Sequence, residues 1–349
     1  MEQKIIIVKH LQRELAIALS ECGHDRIFVL ADRHTAAACW KLLSGFLCLK
    51  NAKLITVDAG DVHKDICSVA RVWTELSENG ASRHSCLINL GGGMITDLGG
   101  FAASTFKRGI DFINIPTTLL AMVDAAVGGK TGINLNGLKN EVGVFNSGRF
   151  VLLDTTFLKS LDEDNLLSGY AEMLKHGLLS NEQTWSNLLN FDLQNPDFRQ
   201  LQQMVAESVK IKERIVKADP TEQGIRKSLN LGHTFGHAFE SFAMTSGSPV
   251  LHGHAVALGL ICELHMSSVK VGFPVEKMRQ TVAFIRENYF PLSITCDAYP
   301  HLIELMKHDK KNMSSIINFT LISDVGKVMV NQTATEEEIK EALDFYREG

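Results

Sequence analysis

The chain has 349 residues, of which 45% are hydrophobic and 21% are charged, and its formal net charge is −5. These values are ordinary for globular proteins and exclude intrinsic disorder, and the length suffices for about two domains. The acidic balance argues against bulk binding to nucleic acid or to an anionic membrane. It leaves room for a local basic pocket that takes an anionic small molecule.

The N-terminus and the cysteines indicate a cytoplasmic protein. The first ten residues carry only a short apolar run, too short for a secretory signal, so we expect the mature protein to begin at Met1. No apolar stretch reaches the ~18 residues that a membrane-spanning helix needs. The seven cysteines form no C-x-x-C pair, which is typical of reduced thiols in the cytoplasm.

The first half of the chain alternates strand-like runs with amphipathic helical segments. Predicted strands cover residues 4–8, 26–30, 53–58, 85–90, 111–115 and 150–154, and predicted helices cover 34–47 and 65–78. This alternation is typical of a mostly parallel sheet with helices on both faces. We therefore predict an α/β domain over residues 1–161.

Beyond residue 161, helical periodicity dominates the sequence. Helices are predicted over residues 162–179, 182–189, 198–219, 232–243, 253–271, 275–288, 298–308 and 336–347, and strands only over 316–322 and 327–330. We predict a mostly α-helical second domain over residues 162–349. Open parallel sheets bind ligands beyond the carboxyl ends of their strands, so we expect the ligand there, in the crevice between the two halves.

A glycine-rich turn follows the predicted strand 85–90. Gly91, Gly92 and Gly93 lead directly into a helical pattern, and such a turn lets a phosphate approach the backbone N–H groups at a helix start. The stretch lacks the G-x-G-x-x-G fingerprint because Thr96 stands at the third glycine position. It is compatible either with phosphate or dinucleotide binding or with a tight strand-to-helix turn.

A second glycine-rich stretch, residues 124–131, matches a P-loop only in its last residues. The G-x-x-x-x-G-K-[ST] pattern requires glycine where this chain has Asp124, so a P-loop is not expected. A turn that presents Asp124 and Lys130 to a pocket and a simple surface loop both remain open. Nearby charged and polar residues fit either a pocket rim or a solvated surface: Lys107, Arg108, Lys139, Asn140 and Glu141.

Histidines cluster in the second half, together with a carboxylate on an earlier predicted helix. His233 and His237 are four residues apart and share one helix face. His252 and His254 follow, and Glu172 precedes them. Two histidines, a carboxylate and one open position form a catalytic zinc site in many enzymes. Spacing alone leaves open which of the histidines bind the metal.

Taken together, these segments resemble the 3-dehydroquinate synthase family. The stretches that carry the resemblance are GGGMITDLGGFAAS (91–104), FKRGIDFINIPTTLLAMVDAAVGGKTGIN (106–134), LKNEVGVF (138–145), LLSGYAEMLKHGLL (166–179), GIRKSLNLGHTFGHAFE (224–240), HGHAVALGL (252–260) and KHDKKN (307–312). The resemblance implies an N-terminal NAD-binding α/β domain, a helical C-terminal domain that binds metal and substrate, and a homodimer.

The resemblance also implies the chemistry. The substrate is 3-deoxy-D-arabino-heptulosonate 7-phosphate, which is cyclised to 3-dehydroquinate with loss of phosphate in the shikimate pathway. NAD is recycled within each turnover, through transient oxidation, phosphate elimination, reduction, ring opening and an intramolecular aldol closure. One Zn²⁺, which Co²⁺ replaces in some cases, would acidify the substrate hydroxyl that is oxidised.

Site residues are implied position by position. The resemblance implies that the metal ligands are Glu172, His233 and His252. It also implies that His237 is an outer partner of these ligands or a proton relay, rather than a ligand itself. The resemblance implies a polar shell that binds the substrate's carboxylate, hydroxyls and phosphate. Its members would be Arg108, Lys130, Lys139, Asn140, Lys175, Lys212, Arg226, Asn230 and one of Lys310 or Lys311. The resemblance implies that NAD is bound by Asp32, Asp61, Lys64, Gly91, Gly92, Gly93, Asp97, Thr117, Thr118, Lys130 and Lys139, with Asp124 at the boundary of nicotinamide and substrate. An acidic Asp61 beside the ribose favours NAD over NADP.

The chain departs from the family pattern at His254, where members often carry glutamate. We expect His254 to be an outer partner of the metal ligands, while a ligand role and a surface role stay open. Three alternatives to a dehydroquinate synthase remain. They are a sister cyclase such as a deoxy-inosose or valiolone synthase, a metal-dependent polyol dehydrogenase that releases NADH, and a non-catalytic NAD-binding module.

Overall fold

A computed structural model describes residues 3–136, 138–307 and 316–348. The chain forms two compact units, Met1–Asp162 and Glu163–Gly349, which are called unit 1 and unit 2 below. Within the described residues, no helix is both long and apolar enough to cross a membrane.

Unit 1 alternates strands and helices, as the sequence predicts. Its elements are β1 (Lys4–Ile7), α1 (Leu11–Cys22), β2 (Ile27–Asp32), α2 (Arg33–Ala38), α3 (Trp40–Leu43), β3 (Lys53–Val57), α4 (Ile66–Glu78), β4 (Cys86–Gly91), α5 (Gly93–Thr105), β5 (Asp111–Pro116), β6 (Lys130–Leu135), β7 (Leu138–Phe145) and β8 (Phe150–Leu153). Short helical turns cover Leu47–Leu49, Asp61–His63, Phe106–Arg108, Ala121–Ala125 and Thr155–Ser160.

Six strands form one parallel sheet in the order β1-β8-β5-β4-β2-β3, which confirms the predicted architecture. Every residue of β4 is buried, as expected for a central strand covered by helices on both faces. Strand β2 leads outward to β3, whereas β4 leads to β5 on the other side. The carboxyl ends of β2 and β4 therefore mark the point where the winding reverses, and ligands of such sheets bind there.

The main core of unit 1 lies between the sheet and helices α4 and α5. Phe28 and Leu30 from β2 pack with Val69 and Val72 from α4 and with Leu98 from α5, and all five are at most 1% exposed. Their removal from water is the main stabilising contribution in this unit. The core holds the ends of the strands in place, and the loops at those ends carry the candidate residues.

Strands β6 and β7 form a separate antiparallel hairpin that the sequence analysis missed. The sequence pattern of residues 124–131 is compatible with a turn or a surface loop, but β6 begins at Lys130 within this segment. Six of the eight β7 residues are exposed, so the strand lacks the apolar pattern that reveals a buried strand. Pairing with β6 decides its structure.

Unit 2 is mostly helical, as predicted. Its elements are α6 (Glu163–Leu178), α7 (Glu182–Leu189), α8 (Phe198–Ala218), α9 (His233–Thr245), α10 (His252–Val271), α11 (Val275–Asn288), α12 (Tyr299–Lys307), β9 (Asn318–Asp324), β10 (Lys327–Thr333) and α13 (Glu336–Glu348). Short 3-10 turns cover Ile225–Asn230 and Cys296–Ala298. Strands β9 and β10 pair in antiparallel fashion. The predicted helix 298–308 extends beyond the described residues at its last position.

Helix α10 is the central element of unit 2. It is 20 residues long and apolar on nearly all sides, which is the pattern of a helix surrounded by protein. Helices α6, α9, α11 and α13 and strand β9 pack against it. This packing places the first turns of α9 and α10 beside the middle of α6.

Candidate functional site

In unit 1, the predicted NAD-binding residues gather at the carboxyl edge of the parallel sheet. Asp32 ends β2, Gly91 ends β4, and Thr117 follows β5 directly. The N–H group of Thr117 donates to the carbonyl of Gly91 (3.0 Å), so the loops after β4 and β5 are joined. Asp61 lies in the turn that follows β3. The sheet topology thus brings together residues that are up to 85 positions apart in the chain.

The turn between β4 and α5 has no room for side chains. A Cβ atom on Gly91 would lie 2.7 Å from Ile95, and one on Gly92 would lie 3.1 Å from the methyl group of Thr118. Gly92 is the N-cap of α5 and supplies no capping side chain. The first-turn N–H groups of this 13-residue helix therefore form a surface that suits an anion such as a pyrophosphate.

A buried lysine ties this edge of the sheet to the β6–β7 hairpin. The Nζ of Lys64 donates to Asp97 Oδ2 (3.0 Å) on α5 and to Asn140 Oδ1 (2.6 Å) on β7, and it lies 3.5 Å from Asp61 Oδ1. The side chain of Lys64 is only 6% exposed, so these contacts are weakly screened. Asn134 on β6 accepts from the N–H of Asn140 (3.0 Å). The predicted NAD residues and the predicted substrate residue Asn140 therefore belong to one network.

The surroundings of Asp97 in this network shift its pKa. Burial raises the pKa of Asp97 to about 6, against the opposing positive charge of Lys64. Asp124 and Asp61 act in the same direction as burial, because each adds negative charge nearby. The carboxylate and Lys64 form an ion pair once the pH exceeds this pKa.

The remaining predicted residues of unit 1 lie on exposed or half-buried positions. Lys130 begins β6, and Lys139 lies on β7 with its Nζ 3.5 Å from Asp61 Oδ2. Asp124 lies in the helical turn Ala121–Ala125. Arg108 adopts a left-handed backbone (φ 67°) directly after Lys107 (φ 48°). Two consecutive non-glycine residues in this region store about 1–2 kcal/mol each.

In unit 2, a group of three histidines lies beside a buried carboxylate. One ring nitrogen from each of His233, His237 and His252 lies within 4.8 Å of the others. Glu172, on α6, is completely buried, and its Oε1 lies 3.4 Å from Nε2 of His233 and 3.7 Å from Nε2 of His252. Three helices thus assemble the carboxylate and imidazoles that the sequence placed 80 residues apart.

The hydrogen bonds of the two imidazoles leave their Nε2 atoms facing Glu172. Nδ1 of His233 lies 3.1 Å from the carbonyl of Leu231, which can only accept, so Nδ1 carries the proton. Nδ1 of His252 lies 3.1 Å from Oε2 of Glu240 and donates to that carboxylate. In a neutral ring the other nitrogen then presents a lone pair. This is the tautomer that a metal ligand requires.

The carboxylate of Glu172 is ionised and poorly satisfied by hydrogen bonds. Burial alone would raise its pKa, but the positive charge of Lys175 is the largest opposing effect, and the pKa lies well below the ordinary value. Lys175, 1% exposed, forms an ion pair with Glu172. Within the described residues, neither oxygen of Glu172 has a partner with hydrogen-bond geometry. A buried carboxylate of this kind fits a bound cation, so the residues present are compatible with a divalent metal.

Further buried cations of unit 2 belong to the predicted polar shell. Lys212 on α8 and Arg226 in the turn Ile225–Asn230 are 6% and 2% exposed. Arg226 donates from Nη1 to the carbonyl of Pro220 (2.6 Å), and Asn230 donates to Oε1 of Glu222 (3.3 Å). Lysine and arginine side chains are the groups that bind phosphate and carboxylate in proteins, so the chemistry of this part of the unit is compatible with such a ligand.

His254 lies on a different side of α10 from His252. Its Nε2 donates to the carbonyl of Phe290 (2.7 Å), and its ring stacks on the Phe290 ring. It also contacts Tyr289 edge-on. These contacts involve the segment after α11 and not the ligands, in contrast to the expected role as their outer partner. Lys310 and Lys311 lie outside the described residues.

Two buried glutamates near the histidines, Glu240 and Glu263, were not predicted as site residues from the sequence. Glu240 follows His233 by seven residues and therefore lies on the same helix face, so the periodicity could have revealed it. Glu263 lies in an otherwise apolar stretch of α10 and is 0% exposed. A charged residue within an apolar helical sequence is rarely buried without a partner, so this pattern could have marked Glu263 as a candidate.

Comparisons with known proteins point to one family. The 3-dehydroquinate synthase N-terminal family model matches residues 54–168, and the corresponding C-terminal model matches residues 169–312. A 3-dehydroquinate synthase of Parabacteroides distasonis is 54% identical over 348 residues, covering 100% of this chain and 99% of the relative.

Solved structures show the same fold at lower identity. A 2-epi-5-epi-valiolone synthase from Streptomyces hygroscopicus, with NAD⁺ and Zn²⁺ bound, superposes with a TM-score of 0.87 at 23% identity, covering 100% of this chain and 97% of that one. A 2-deoxy-scyllo-inosose synthase complexed with carbaglucose-6-phosphate, NAD⁺ and Co²⁺ gives 0.85 at 22% identity, covering 99% and 96%. Since the family models together span residues 54–312 and the Parabacteroides relative matches the whole chain, the chain belongs to the 3-dehydroquinate synthase family.

Proposed function

We propose that the chain catalyses the 3-dehydroquinate synthase reaction of the shikimate pathway. The enzyme would convert 3-deoxy-D-arabino-heptulosonate 7-phosphate to 3-dehydroquinate and inorganic phosphate, and would therefore be a carbon–oxygen lyase. Family membership at 54% identity supports the identity of the reaction. The geometric observation that carries it is the buried carboxylate of Glu172, which faces the Nε2 atoms of His233 and His252.

We propose that Glu172, His233 and His252 hold a Zn²⁺ ion, for which Co²⁺ can substitute. When bound, the ion would supply Lewis acidity that lowers the pKa of a substrate hydroxyl. The tautomer that metal binding requires is held in both imidazoles by hydrogen bonds, from His233 to the carbonyl of Leu231 and from His252 to Glu240. His237 would relay a proton, and the distances of its ring from those of His233 (5.4 Å) and His252 (5.7 Å) support this role.

We propose that unit 1 binds NAD. When bound, NAD⁺ supplies the hydride acceptor that is regenerated within the turnover. The glycine turn Gly91–Gly93 would receive the pyrophosphate at the start of α5. Asp32, at the end of β2, would bind the adenosine end of NAD, and Asp61, in the turn after β3, would bind the ribose. Negative charge at Asp61 disfavours a ribose 2′-phosphate and therefore favours NAD over NADP. Further NAD positions are proposed at Lys64, Asp97, Thr117, Thr118, Asp124, Lys130 and Lys139.

The charged substrate would be held by cations from this chain. Arg226 and Lys212 are buried, so they would bind the phosphate or the carboxylate with little screening. Lys175 would keep Glu172 ionised and so keep it available as a ligand. Roles in substrate binding are likewise proposed for Arg108, Lys130, Asn140 and Asn230. The phosphate of the substrate would remove the proton in the elimination, since no dedicated base stands out among these residues.

Further properties of the protein follow from the same proposal. All seven cysteines are free thiols, which supports a cytoplasmic location. The protein would act on a small-molecule sugar-acid phosphate, without nucleic acid or membrane partners, as a homodimer. Sedimentation velocity at several concentrations measures the oligomeric state.

The decisive assay measures phosphate release from the seven-carbon substrate with catalytic NAD⁺. We expect release that stops when a chelator removes the metal and resumes with added Zn²⁺ or Co²⁺, with no net absorbance gain at 340 nm. Net NADH would indicate a polyol dehydrogenase. Release from a sugar phosphate without a carboxylate, in place of the seven-carbon acid, would indicate a sister cyclase.

A pair of variants tests the metal assignment. We expect His233→Ala to lose zinc and nearly all turnover, because one of three ligands is missing. His301→Ala is the matched control, since His301 is an exposed histidine of the same unit whose ring contacts Phe242. Full activity in metal-free His233→Ala would rule out the proposed site.

A further inference from the structure

Helix α9, which carries the proposed ligand His233 at its first position, has no cap from its own segment. Its N-cap is Gly232, which has a left-handed backbone (φ 80°) and no side chain. The first N–H groups of any helix lack intrahelical acceptors. In α9 these groups are buried, so they require acceptors from elsewhere in the protein.

Glu263 on the neighbouring helix α10 supplies those acceptors. Its Oε2 accepts from the N–H of Gly232 (2.6 Å), and its Oε1 accepts from Thr234 (3.0 Å) and, at longer distance, from Phe235 (3.4 Å). The three N–H groups flank His233 on both sides. The positive end of the helix dipole also lies at this point, so a negative charge is favourable there.

A second residue of α10, Gly259, lies against the backbone of Gly232. Gly259 lies one turn before Glu263 on α10, and a Cβ atom there would lie 2.1 Å from the carbonyl oxygen of Gly232. Helix α9 therefore lies directly against the α10 backbone. With its N–H bound by Glu263 and its carbonyl beside Gly259, Gly232 has little freedom to slide along α10.

We propose that Glu263 is a positioning residue of the metal centre. By capping α9 from α10, which begins with His252, it fixes His233 relative to His252 and so preorganises the ring nitrogens that face Glu172. This inference rests on the proposed metal-binding role of these three residues. Ligand constellations must be held to within about 0.5 Å to be productive, and a backbone shift at Gly232 would move the His233 ring directly.

The test measures metal affinity in the full-length protein. Glu263→Gln preserves the size of the side chain but replaces one acceptor oxygen by an NH₂ group, which faces N–H donors. We expect Zn²⁺ to bind about 10–100-fold more weakly, as is usual when a residue that orients a ligand is lost. Competition with a chromophoric chelator gives the Zn²⁺ affinity, and the visible spectrum of the Co²⁺ form reports ligand geometry without any substrate.

The matched control is Thr281→Val. It removes another buried hydrogen bond of unit 2, from Trp185 Nε1 to Thr281 Oγ1 (3.0 Å), between helices α7 and α11, and neither helix carries a proposed metal ligand. Both variants are compared at a temperature where circular dichroism shows them folded. We expect the control to leave Zn²⁺ affinity within about twofold of the wild type and the Co²⁺ spectrum unchanged, although its melting temperature falls.

The outcomes separate the two proposals. Unchanged Zn²⁺ affinity in Glu263→Gln, or equal weakening in Thr281→Val, would show that Glu263 only stabilises the fold and would overturn the inference. Failure of the wild-type protein to bind Zn²⁺ would instead refute the metal site itself. If Glu263→Gln does not fold, Glu263→Asp serves in its place, because it keeps the charge but shortens the side chain. Weaker Zn²⁺ binding and an altered Co²⁺ spectrum support the inference, and wild-type values overturn it.

Discussion

Asp97→Asn tests the electrostatics of the proposed NAD edge through the pH dependence of stability. Asp97 on α5 pairs with Lys64 at 3.0 Å, and its side chain is 17% exposed. Burial nonetheless raises its pKa to about 6, whereas an unperturbed aspartate has a pKa of 3.8. The native state therefore holds a proton on Asp97 at pH values where the unfolded chain has already released it.

The sign and size of the effect follow from linkage. Because the native pKa is raised, the proton on Asp97 contributes stability that is fully present below pH ~4 and is lost as the pH rises through about 6. The difference between the two pKa values corresponds to about 3 kcal/mol. We expect the free energy of unfolding of the wild type, minus that of Asp97→Asn, to fall by about 3 kcal/mol between pH ~4 and pH ~7.

Denaturant unfolding at a series of pH values measures this difference. Trp40 and Trp73 report on unit 1, and a Trp185→Phe background removes the tryptophan of unit 2. The Asp97→Asn variant also lacks the ion pair with Lys64. The wild-type protein forms that pair only when the pH exceeds the pKa of Asp97, about 6, so its loss belongs to the same titration. A difference that stays constant from pH 4 to pH 7 would refute the raised pKa, and so would a carboxyl carbon resonance of Asp97 that titrates near 4.

Three further variants test other contacts. Glu240→Gln should weaken Zn²⁺ binding by about 10–100-fold, because the His252 ring loses its charged acceptor. The matched control is Glu338→Gln, which removes an ion pair between α13 and Lys270 on α10 and should leave the Zn²⁺ affinity unchanged. Equal Zn²⁺ affinities in the two variants would contradict the role of Glu240. Glu172→Gln should abolish tight Zn²⁺ binding while the protein stays folded, as equilibrium dialysis against zinc would show; retention of one equivalent would contradict the ligand assignment. Lys64→Met should raise the pKa of Asp97 above about 6, because the opposing positive charge is gone. It should also speed proteolysis within the β6–β7 hairpin, because the hydrogen bond from Lys64 to Asn140 is lost. An unchanged pKa of Asp97 and an unchanged cleavage pattern would contradict the network.

Local sequence patterns were sufficient for most of the secondary structure. The helices 182–189 and 275–288 were predicted to the residue, and all six strands of the parallel sheet were predicted within two residues at each end. These elements carry strong periodicity and bury one or both faces, so the arrangement of apolar residues determines them. The β6–β7 hairpin was missed because its exposed side chains leave no such pattern.

The family motifs also identified the residues of the candidate sites, since Glu172, His233 and His252 lie in stretches that resemble the 3-dehydroquinate synthase family. Spacing by itself left the choice among four histidines open. The structure groups three of them and turns His254 towards Phe290, which no linear pattern could indicate.

Local periodicity and motif order are encoded along the chain, so the sequence was enough to predict the fold class, the family and the candidate site residues. Which partners those residues contact depends on the folded structure. Glu240 orients His252, Glu263 caps the helix of His233, and Lys64 joins α5 to the hairpin. The protonation of Asp97 and Glu172 was also decided there. Both depend on burial and on charges from distant parts of the chain, and electrostatic energies follow distance in space rather than distance in sequence.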